Sequence, residues 1–456
     1  MTAQQRQRTI THFSTYNKGG AGIAARRIFD GLRNQLVESA GESNQNNLNL
    51  RFICRDDQDR PDGQTDHFQS YQPFFYSWLP RMLNHTRKAA KNFHRFLKNR
   101  PPQFEVVSPT AHYHPTALPK TFNTDLIHLH WVAFLFDYIS FFKSIHNTTP
   151  IVWTLHDMNA FTGGCHYSGG CEKYLSGCGS CFQIDNPQPT DLSSLGILHK
   201  KKSYHRKNMT IVSPSQWLLN AAQRSGLFPD STCFELIPYG INTKAFYPLE
   251  KQSAKQQLAE SINSTLHDRV TLLFGADNLT IPRKGIHQLK EALGHLQPKS
   301  EITCLIFGNG DVQELGLDKL HPRIQVHHLG YLKNDVEKQL AYSAADLFVL
   351  PSLEDNQPQT GLEAMACQTP VVAFDTGGMP DFVRHRKTGY LAAGHQPKEL
   401  ADAIAALIAD GSARAVMGAT AREMVCKEFE IDTQTNRYVE LYERLIGSFQ
   451  NSSKAA

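Results

Sequence analysis

Residues 346–378 read DLFVLPSLEDNQPQTGLEAMACQTPVVAFDTGG. The apolar runs 347–350 and 371–374 predict two buried strands. Between them, residues 360–367 begin with the hydroxyl side chain of Thr360 and are otherwise mostly good helix formers. This pattern predicts a helix capped by Thr360. A strand, a helix and a second strand in this order form the βαβ unit of a parallel sheet covered by helices.

The same alternation of apolar runs and helical patterns extends through most of the chain. Further strand-like runs occupy residues 126–129, 151–155, 210–212, 271–274 and 302–307. Their spacing predicts an α/β protein with two doubly wound, Rossmann-like domains facing each other across a cleft, rather than one long sheet. Ligands of such folds bind where the parallel strands end.

Proline and glycine interrupt this pattern near the middle of the chain. Pro238, Gly240 and Pro248 lie in the sequence IPYGINTKAFYPL, and residues of these types mark a loop between domains. The predicted divisions are an N-terminal domain (1–236), a linker (237–248), a C-terminal domain (249–430) and a final helix (431–456) that packs back on the first domain.

Composition excludes several classes of protein. The 456 residues are 40% hydrophobic and 20% charged, with a formal net charge of +4. These values exclude a disordered or fibrous chain and argue against a nucleic-acid partner. No run approaches the roughly 18 apolar residues of a spanning helix, and the sequence MTAQQRQRTITHF lacks the apolar core of a secretion signal. We expect a cytoplasmic protein, with attachment at the inner face of the membrane left open.

Two acidic residues separated by seven positions frame the helix of the opening segment. Asp355 and Glu363 are followed by AMA at 364–366 and by PVV at 370–372, and a P-x-G sequence occupies 238–240. Together these motifs resemble the retaining, family-four (group 1) class of GT-B glycosyltransferases. The resemblance covers most of the chain and implies the GT-B fold.

The resemblance also implies roles for the carboxylates. Its first acidic position contacts the donor sugar, and there the family has Glu where this chain has Asp355 beside Glu354. Glu354 and Asp355 are therefore both candidates for the catalytic contact. Glu363 would hold the donor ribose, and a carboxylate suits a diol because it accepts charge-assisted hydrogen bonds.

A nucleotide-sugar donor has a diphosphate leaving group, which needs cations or backbone N–H groups. The resemblance assigns Lys284 to the phosphates. Arg283 is a candidate substitute for an earlier arginine of the family, where this chain has Leu279.

Glycine loops are the second candidate for phosphate binding. Gly19 and Gly20 precede a helix expected from about residue 23, and Gly308 follows a strand-like run. Glycine lets a backbone approach a ligand closely, and a helix N-terminus favours anions. Ordinary structural turns account for these glycines equally well.

Histidines follow two strand-like runs. The resemblance identifies His156, in the sequence TLHD, as the active-site histidine near the anomeric carbon of the donor sugar. His128 is expected to be structural, because a single histidine in a strand usually packs in the core. For His130 a structural and a functional role remain equally open.

The resemblance implies transfer of a sugar from a nucleotide-sugar donor to a glycan or lipid-linked acceptor, with retention of anomeric configuration. No divalent metal or other cofactor is expected in catalysis, and cell-surface polysaccharide biosynthesis is the expected setting. Two alternatives remain: a sugar-nucleotide epimerase or phosphorylase-like enzyme of the same architecture, and a catalytically silent glycan-binding subunit.

Four of the nine cysteines cluster in one segment: Cys165, Cys171, Cys178 and Cys181. The closing C-x-x-C resembles half of a structural zinc site, and His166 is a further candidate ligand. Structural zinc, reduced thiols packed in a loop, and disulfides all remain open. A catalytic metal is not expected, because four cysteine ligands leave no open position.

A basic stretch spans residues 67–104, with seven Arg or Lys and no Asp or Glu. Apolar residues recur between the basic ones at roughly helical spacing. The pattern is typical of a helix lying on an anionic membrane surface, and equally of a packed helix with a solvated basic face.

Overall fold

The computed structural model describes residues 7–40, 48–54, 68–70, 124–311, 316–317 and 320–447. It divides into two compact units. The first comprises 1–237 and 435–456, and the second comprises 238–434.

The first unit is built on a parallel sheet of seven strands. Its strands in chain order are β1 (Arg8–Phe13), β2 (Leu48–Cys54), β3 (Phe68–Ser70), β4 (Leu126–Leu129), β5 (Ile151–Thr154), β6 (Met209–Ser213) and β7 (Cys233–Leu236). They are arranged β3-β2-β1-β4-β5-β6-β7. Every residue of β4, β5 and β6 is buried, as expected for parallel strands covered on both faces.

Among the described residues of this unit, four helices follow or connect these strands: α1 (Gly19–Ala40), α2 (Tyr138–Ser144), α3 (Leu192–Tyr204) and α4 (Gln216–Arg224). Short polar side chains fix where three of them begin. Asp137, Asp191 and Ser215 accept hydrogen bonds from backbone N–H groups in the first turns of α2, α3 and α4. Such caps satisfy donors that have no partner within a helix.

The second unit contains a parallel sheet of six strands, arranged β10-β9-β8-β11-β12-β13. The strands are β8 (Val270–Asn278), β9 (Ile302–Asn309), β10 (Ile324–Gly330), β11 (Leu347–Leu350), β12 (Val371–Phe374) and β13 (Gly389–Ala392). The helices are α5 (Lys251–Ser261), α6 (Ile286–His295), α7 (Asp335–Ala344), α8 (Gln359–Ala366), α9 (Pro397–Ala409) and α10 (Gly411–Glu428).

The last helix, α11 (Ile431–Ile446), completes the core of the first unit. Tyr438 and Tyr442 are fully buried there, in one apolar cluster with Ile10, Phe29 and Phe52. Their hydroxyl groups have polar partners inside this core, so two tyrosines are buried without unpaired O–H groups.

The predicted fold class is confirmed, because both sheets are parallel and doubly wound. In each sheet the strand order reverses once, between β1 and β4 in the first unit and between β8 and β11 in the second. Ligands of open α/β sheets bind at the carboxyl ends of the strands beside such a reversal. The fold therefore defines one candidate site in each unit.

Two local predictions were wrong. Thr360 is not a helix cap: α8 begins at Gln359 after Pro358, and proline at the helix start already fixes a suitable backbone angle. Helix α1 begins at Gly19, earlier than expected from residue 23, so Gly19 and Gly20 form its first turn rather than a loop before it.

Candidate functional site

The site of the second unit lies where β8 and β11 end. Lys284 follows β8, and its Nζ donates to Asp355 Oδ2 after β11, at 2.6 Å. Arg283 Nη1 lies 3.2 Å from the same oxygen and donates to the Glu354 carbonyl at 2.6 Å. The strand reversal thus brings together four residues that were predicted for the donor site. Arg283 and Lys284 meet Glu354 and Asp355, which lie 71 positions later in the chain.

Charge and burial act in opposite directions on Asp355. The residue is only 6% exposed, and burial by itself would raise the pKa of its carboxyl group. The positive charges of Lys284 and Arg283 outweigh this and hold that pKa well below its usual value. Burial lowers the pKa of Lys284, which Asp355 partly counters. Asp355 is therefore held as a carboxylate between two basic side chains where the strands end.

Glu363 lies in α8, the helix that follows β11 and Asp355, and is held by a residue that was not predicted from the sequence. Tyr342, near the end of α7, donates its hydroxyl to Glu363 Oε2 at 3.0 Å. Both side chains are buried. A tyrosine in a helix gives no signal of such a contact in the sequence, because the contact depends on how α7 packs beside α8.

Gly308 has a structural reason to be glycine. Its φ is +139°, and a Cβ atom there would lie 2.0 Å from the Ala276 carbonyl oxygen. The close approach of β9 to β8 therefore accounts for this residue without a ligand. Its assignment to the nucleotide stays a prediction.

The glycine segment of the first unit follows β1, beside the strand reversal. Gly19 has φ +67°, a conformation that favours glycine. A Cβ on Gly22 would lie 2.7 Å from the Asn17 carbonyl carbon, whereas a Cβ on Gly20 would meet no atom within 4 Å. Gly19 and Gly22 therefore serve the turn itself, and Gly20 leaves open space at the first turn of α1.

His156 follows β5 and is 8% exposed. Burial lowers its pKa to about 4 although Asp157 opposes this, so the imidazole is neutral at pH 7. Its Nε2 lies 3.3 Å from His130 Nδ1. His130, which follows β4, in turn contacts His12 in β1, so a histidine of one strand meets two histidines that follow neighbouring strands.

Asp157 organises a second, partly exposed group at the same edge. Its carboxylate accepts hydrogen bonds from Trp131 Nε1 at 2.9 Å and from His166 Nδ1 at 2.5 Å. The rings of Tyr16, Trp131 and His166 stack in a row, with centroids 5.5 and 5.4 Å apart. This row of rings was not predicted, because its members belong to three separate loops.

The four clustered cysteines line one small cavity, together with Lys173 and Ser193. All nine cysteines lie within the described residues and are free thiols. Among the described residues, three or more ligand atoms of His, Cys, Asp or Glu lie within 4.8 Å of one another at His12, His128 and His130, and not at the cysteines. The sulfurs are therefore spaced more widely than ligands around one ion.

Backbone and side-chain donors point at these sulfurs. The backbone N–H groups of Gly163 and Gln183 hydrogen-bond to Cys178 and Cys181, and the Thr162 side chain hydrogen-bonds to Cys165. The fully buried ammonium group of Lys200 donates to the Thr162 carbonyl at 2.8 Å, beside Cys165 and Cys178. Burial outweighs these contacts and raises the pKa of the Cys165 thiol to about 12, that of Cys178 to about 11 and that of Cys181 as well, so the three groups are protonated thiols at pH 7.

The basic stretch 67–104 lies outside the described residues, except for the three residues of β3. Its predicted membrane contact stays a prediction. Among the helices that the structure describes, none combines the length and the apolar character needed to cross a membrane.

Residues 278–424 match the family of glycosyl transferases group 1. This range includes Arg283, Lys284, Glu354, Asp355 and Glu363, so the second site lies wholly inside the matched region. Over these residues the resemblance drawn from the sequence is confirmed.

Curated relatives support the same class. A D-inositol 3-phosphate glycosyltransferase of Corynebacterium jeikeium is 40% identical over 234 residues, which are 47% of this chain and 53% of the relative. A GDP-mannose-dependent alpha-(1-6)-phosphatidylinositol monomannoside mannosyltransferase of Mycobacterium tuberculosis is 28% identical over 216 residues, 45% of this chain and 54% of the relative. The matches span about half the length of these relatives.

The whole chain resembles a solved structure in fold. Sucrose-phosphate synthase from Thermosynechococcus elongatus superposes with a TM-score of 0.66 and 21% identity, covering 96% of this chain and 99% of that structure. At this level of identity the similarity concerns the GT-B fold alone.

Proposed function

We propose that the protein transfers a sugar from a nucleotide-sugar donor to a glycan or lipid-linked acceptor. The observation that carries the proposal is the cluster of Lys284, Arg283 and Asp355 at the strand reversal, directly before α8, the helix that contains Glu363. The cluster offers cations for a diphosphate. Glu363 offers a carboxylate for a ribose diol.

The charges of the cluster suit departure of a nucleoside diphosphate. Lys284 and Arg283 are directed at the Asp355 carboxylate, so a bound diphosphate would compete with Asp355 for them. The cations would stabilise the negative charge that develops as the bond to the sugar breaks. Glu354, which is less buried than Asp355, is the better placed of the two for the contact with the sugar.

Transfer with retention is part of the proposal. The acceptor hydroxyl would attack from the face that the diphosphate leaves, and the leaving phosphate would take the hydroxyl proton. No nucleophilic carboxylate and no metal ion is needed in this scheme. Inversion at the anomeric carbon of the product, seen by NMR, would contradict it.

The first unit would supply the acceptor side. His156, Gly20 and the ring row of Tyr16, Trp131 and His166 lie at the carboxyl ends of its strands. The mycobacterial relative is named for a phosphatidylinositol-linked acceptor, and the basic stretch 67–104 suits a lipid surface. We therefore propose cell-surface glycan assembly at a membrane face as the setting.

The donor site can be tested by thermal shift with UDP, GDP and their sugars. A ligand at about 100 times its Kd adds about 2.7 kcal/mol to the stability of the state that binds it, which raises the Tm of a domain this size by roughly 5–10 °C. We expect one nucleoside diphosphate to produce this shift. Lys284→Ala and Glu363→Gln should reduce the shift, each measured against its own ligand-free Tm.

Lys255→Ala is the matched control. Lys255 forms an ion pair with Asp346 at 2.7 Å in the same unit, but Asp346 precedes β11 and so lies at the opposite end of that strand. The control should lose stability and keep the ligand shift. Absence of any shift in the folded wild-type protein would favour the silent glycan-binding subunit, and sugar epimerisation without an acceptor would favour the epimerase.

We also propose that the four cysteines bind a structural zinc ion. The C-x-x-C pair, the shared cavity and the donors directed at three sulfurs support this. A bound ion would displace the thiol protons that burial favours in the metal-free loop. Four thiolates carry four negative charges, of which Zn²⁺ would offset two and the buried ammonium group of Lys200 would offset one. Binding would draw the sulfurs to about 2.3 Å from one ion and so fix a loop with little regular structure.

A further inference from the structure

His12, His130 and His156 form a continuous hydrogen-bonded line inside the first unit. His12 Nδ1 lies 3.1 Å from His130 Nε2, and His130 Nδ1 lies 3.3 Å from His156 Nε2. The three side chains are 0%, 1% and 8% exposed. The line therefore runs from the middle of the sheet to the edge where the predicted active-site histidine lies.

All three imidazoles are neutral at pH 7. Burial lowers the pKa of His12 to about 3 and that of His156 to about 4. Burial, with help from the neighbouring histidines, also lowers the pKa of His130 well below its usual value. A neutral imidazole has one N–H donor and one acceptor nitrogen. The three N–H groups can therefore all point outward, toward His156, or all point inward, toward His12. Either direction fixes the tautomers of all three rings together.

The inner end of the line distinguishes the two directions. His12 Nε2 is buried and has no hydrogen-bond partner among the described residues. The ring lies among the aromatic side chains of Phe29, Phe52 and Tyr442. If the protons pointed inward, His12 Nε2 would be a buried N–H donor without a partner. If they point outward, it is an acceptor without a partner, which protein interiors tolerate more often.

We propose that His130 is a positioning residue that donates to His156 and holds it as the tautomer protonated at Nδ1. His12 donates from Nδ1 to His130 Nε2, and His130 donates from Nδ1 to His156 Nε2. His156 Nε2 is thereby occupied as an acceptor, and the hydrogen-bond donor of this side chain is Nδ1–H. The tautomer is a property of the protein alone and does not depend on the proposed sugar transfer.

A metal ion is the competing explanation for buried histidines. Ligand atoms of His12, His128 and His130 all lie within 4.8 Å of one another. However, both nitrogens of His128 already have hydroxyl partners, Tyr442 at 2.6 Å and Thr154 at 2.8 Å. Its ring is also tilted by 33° to that of His130 at a centroid distance of 4.1 Å, so the rings face each other instead of a common ion.

The test is ¹⁵N NMR of the full chain labelled with ¹⁵N-histidine, using long-range ¹H–¹⁵N correlations at pH 7. A protonated ring nitrogen and an unprotonated one differ widely in ¹⁵N shift, so each tautomer is read directly. His156→Gln assigns the signal of His156. We expect wild-type His156 to be protonated at Nδ1.

Two variants separate positioning from packing. His130→Phe removes the donor and should move a large fraction of His156 to the Nε2–H tautomer, which imidazole favours in water. His128→Phe changes an equally buried ring outside the line and should leave His156 unchanged. Protonation of wild-type His156 at Nε2 would overturn the proposal even if neither variant folds. So would an unchanged tautomer in folded His130→Phe, or histidine signals of the line that move when EDTA is added.

Discussion

Gly285 adopts a conformation that other residues reach only at a cost. Its φ is +80°, and a Cβ atom would lie 1.8 Å from the Pro351 carbonyl oxygen. Glycine at this position allows the chain to turn from Lys284 into α6 while its backbone lies against Pro351, which follows β11. At this position the sequence pattern K-G before a helix has a physical basis, because the turn places Lys284 beside Asp355.

We expect Gly285→Ala to lower the free energy of unfolding by at least about 1–2 kcal/mol, the cost of a left-handed conformation for an L-residue, with the clash added. Gly294→Ala is the matched control nine positions later. No atom lies within 4 Å of a Cβ there, so in α6 this change should raise the free energy by up to about 1 kcal/mol. Denaturant unfolding measures both, and equal effects would contradict the role of Gly285.

At the scale of elements, the segment between β5 and α3 is held by side-chain contacts more than by regular structure. Asp191, the cap of α3, accepts hydrogen bonds from the backbone N–H groups of Ser193 and Cys181. Lys200 in α3 reaches the carbonyl groups of Asn159 and Thr162. The loop of the cysteines is thus fastened to α3 at both of its ends, and the proposed zinc ion would bind between these attachments.

We expect about one zinc ion per chain in protein purified without chelators, because four cysteines complete a tetrahedral site. Cys178→Ser and Cys181→Ser should lose the metal and lower the Tm. Cys233→Ser is the control, since Cys233 is an exposed thiol of the same unit. Elemental analysis that finds no zinc, together with four titratable thiols in the cluster, would leave reduced thiols as the explanation.

At the scale of the whole molecule, buried neutral histidines make stability depend on pH. The pKa of His12 falls from 6.5 to about 3 in the folded chain, so below pH 6.5 the unfolded chain binds a proton that the folded chain does not. Stability is therefore lost as the pH falls.

We expect this residue alone to cost about 2 kcal/mol of unfolding free energy between pH 7.5 and pH 5. Over the same pH range, the unfolding free energy of His12→Phe should fall by about 2 kcal/mol less than that of the wild type. This difference does not depend on the stability of the variant at pH 7.5. Denaturant unfolding at several pH values gives both curves. Parallel curves would mean that His12 is protonated in the folded protein.

The sequence by itself determined the fold class and which residues form most of the candidate site in the second unit. Buried parallel strands are continuous apolar runs, so 347–350 and 371–374 could be identified locally, and the carboxylates and cations lie where such strands end. The local pattern predicted the first residues of helices less accurately. Helix α8 begins at Gln359 and α1 begins at Gly19, each earlier than Thr360 and residue 23 suggested.

Only the tertiary structure decided which of these residues meet. Lys284 reaches Asp355 across 71 positions, and His12 reaches His130 across 118, because a parallel sheet places neighbouring strand ends side by side although long crossovers separate them in the chain. Tyr342 became a partner of Glu363 in the same way. Residue type and local spacing specify which chemistry a strand end offers, whereas strand order and helix packing specify the contacts through which that chemistry acts.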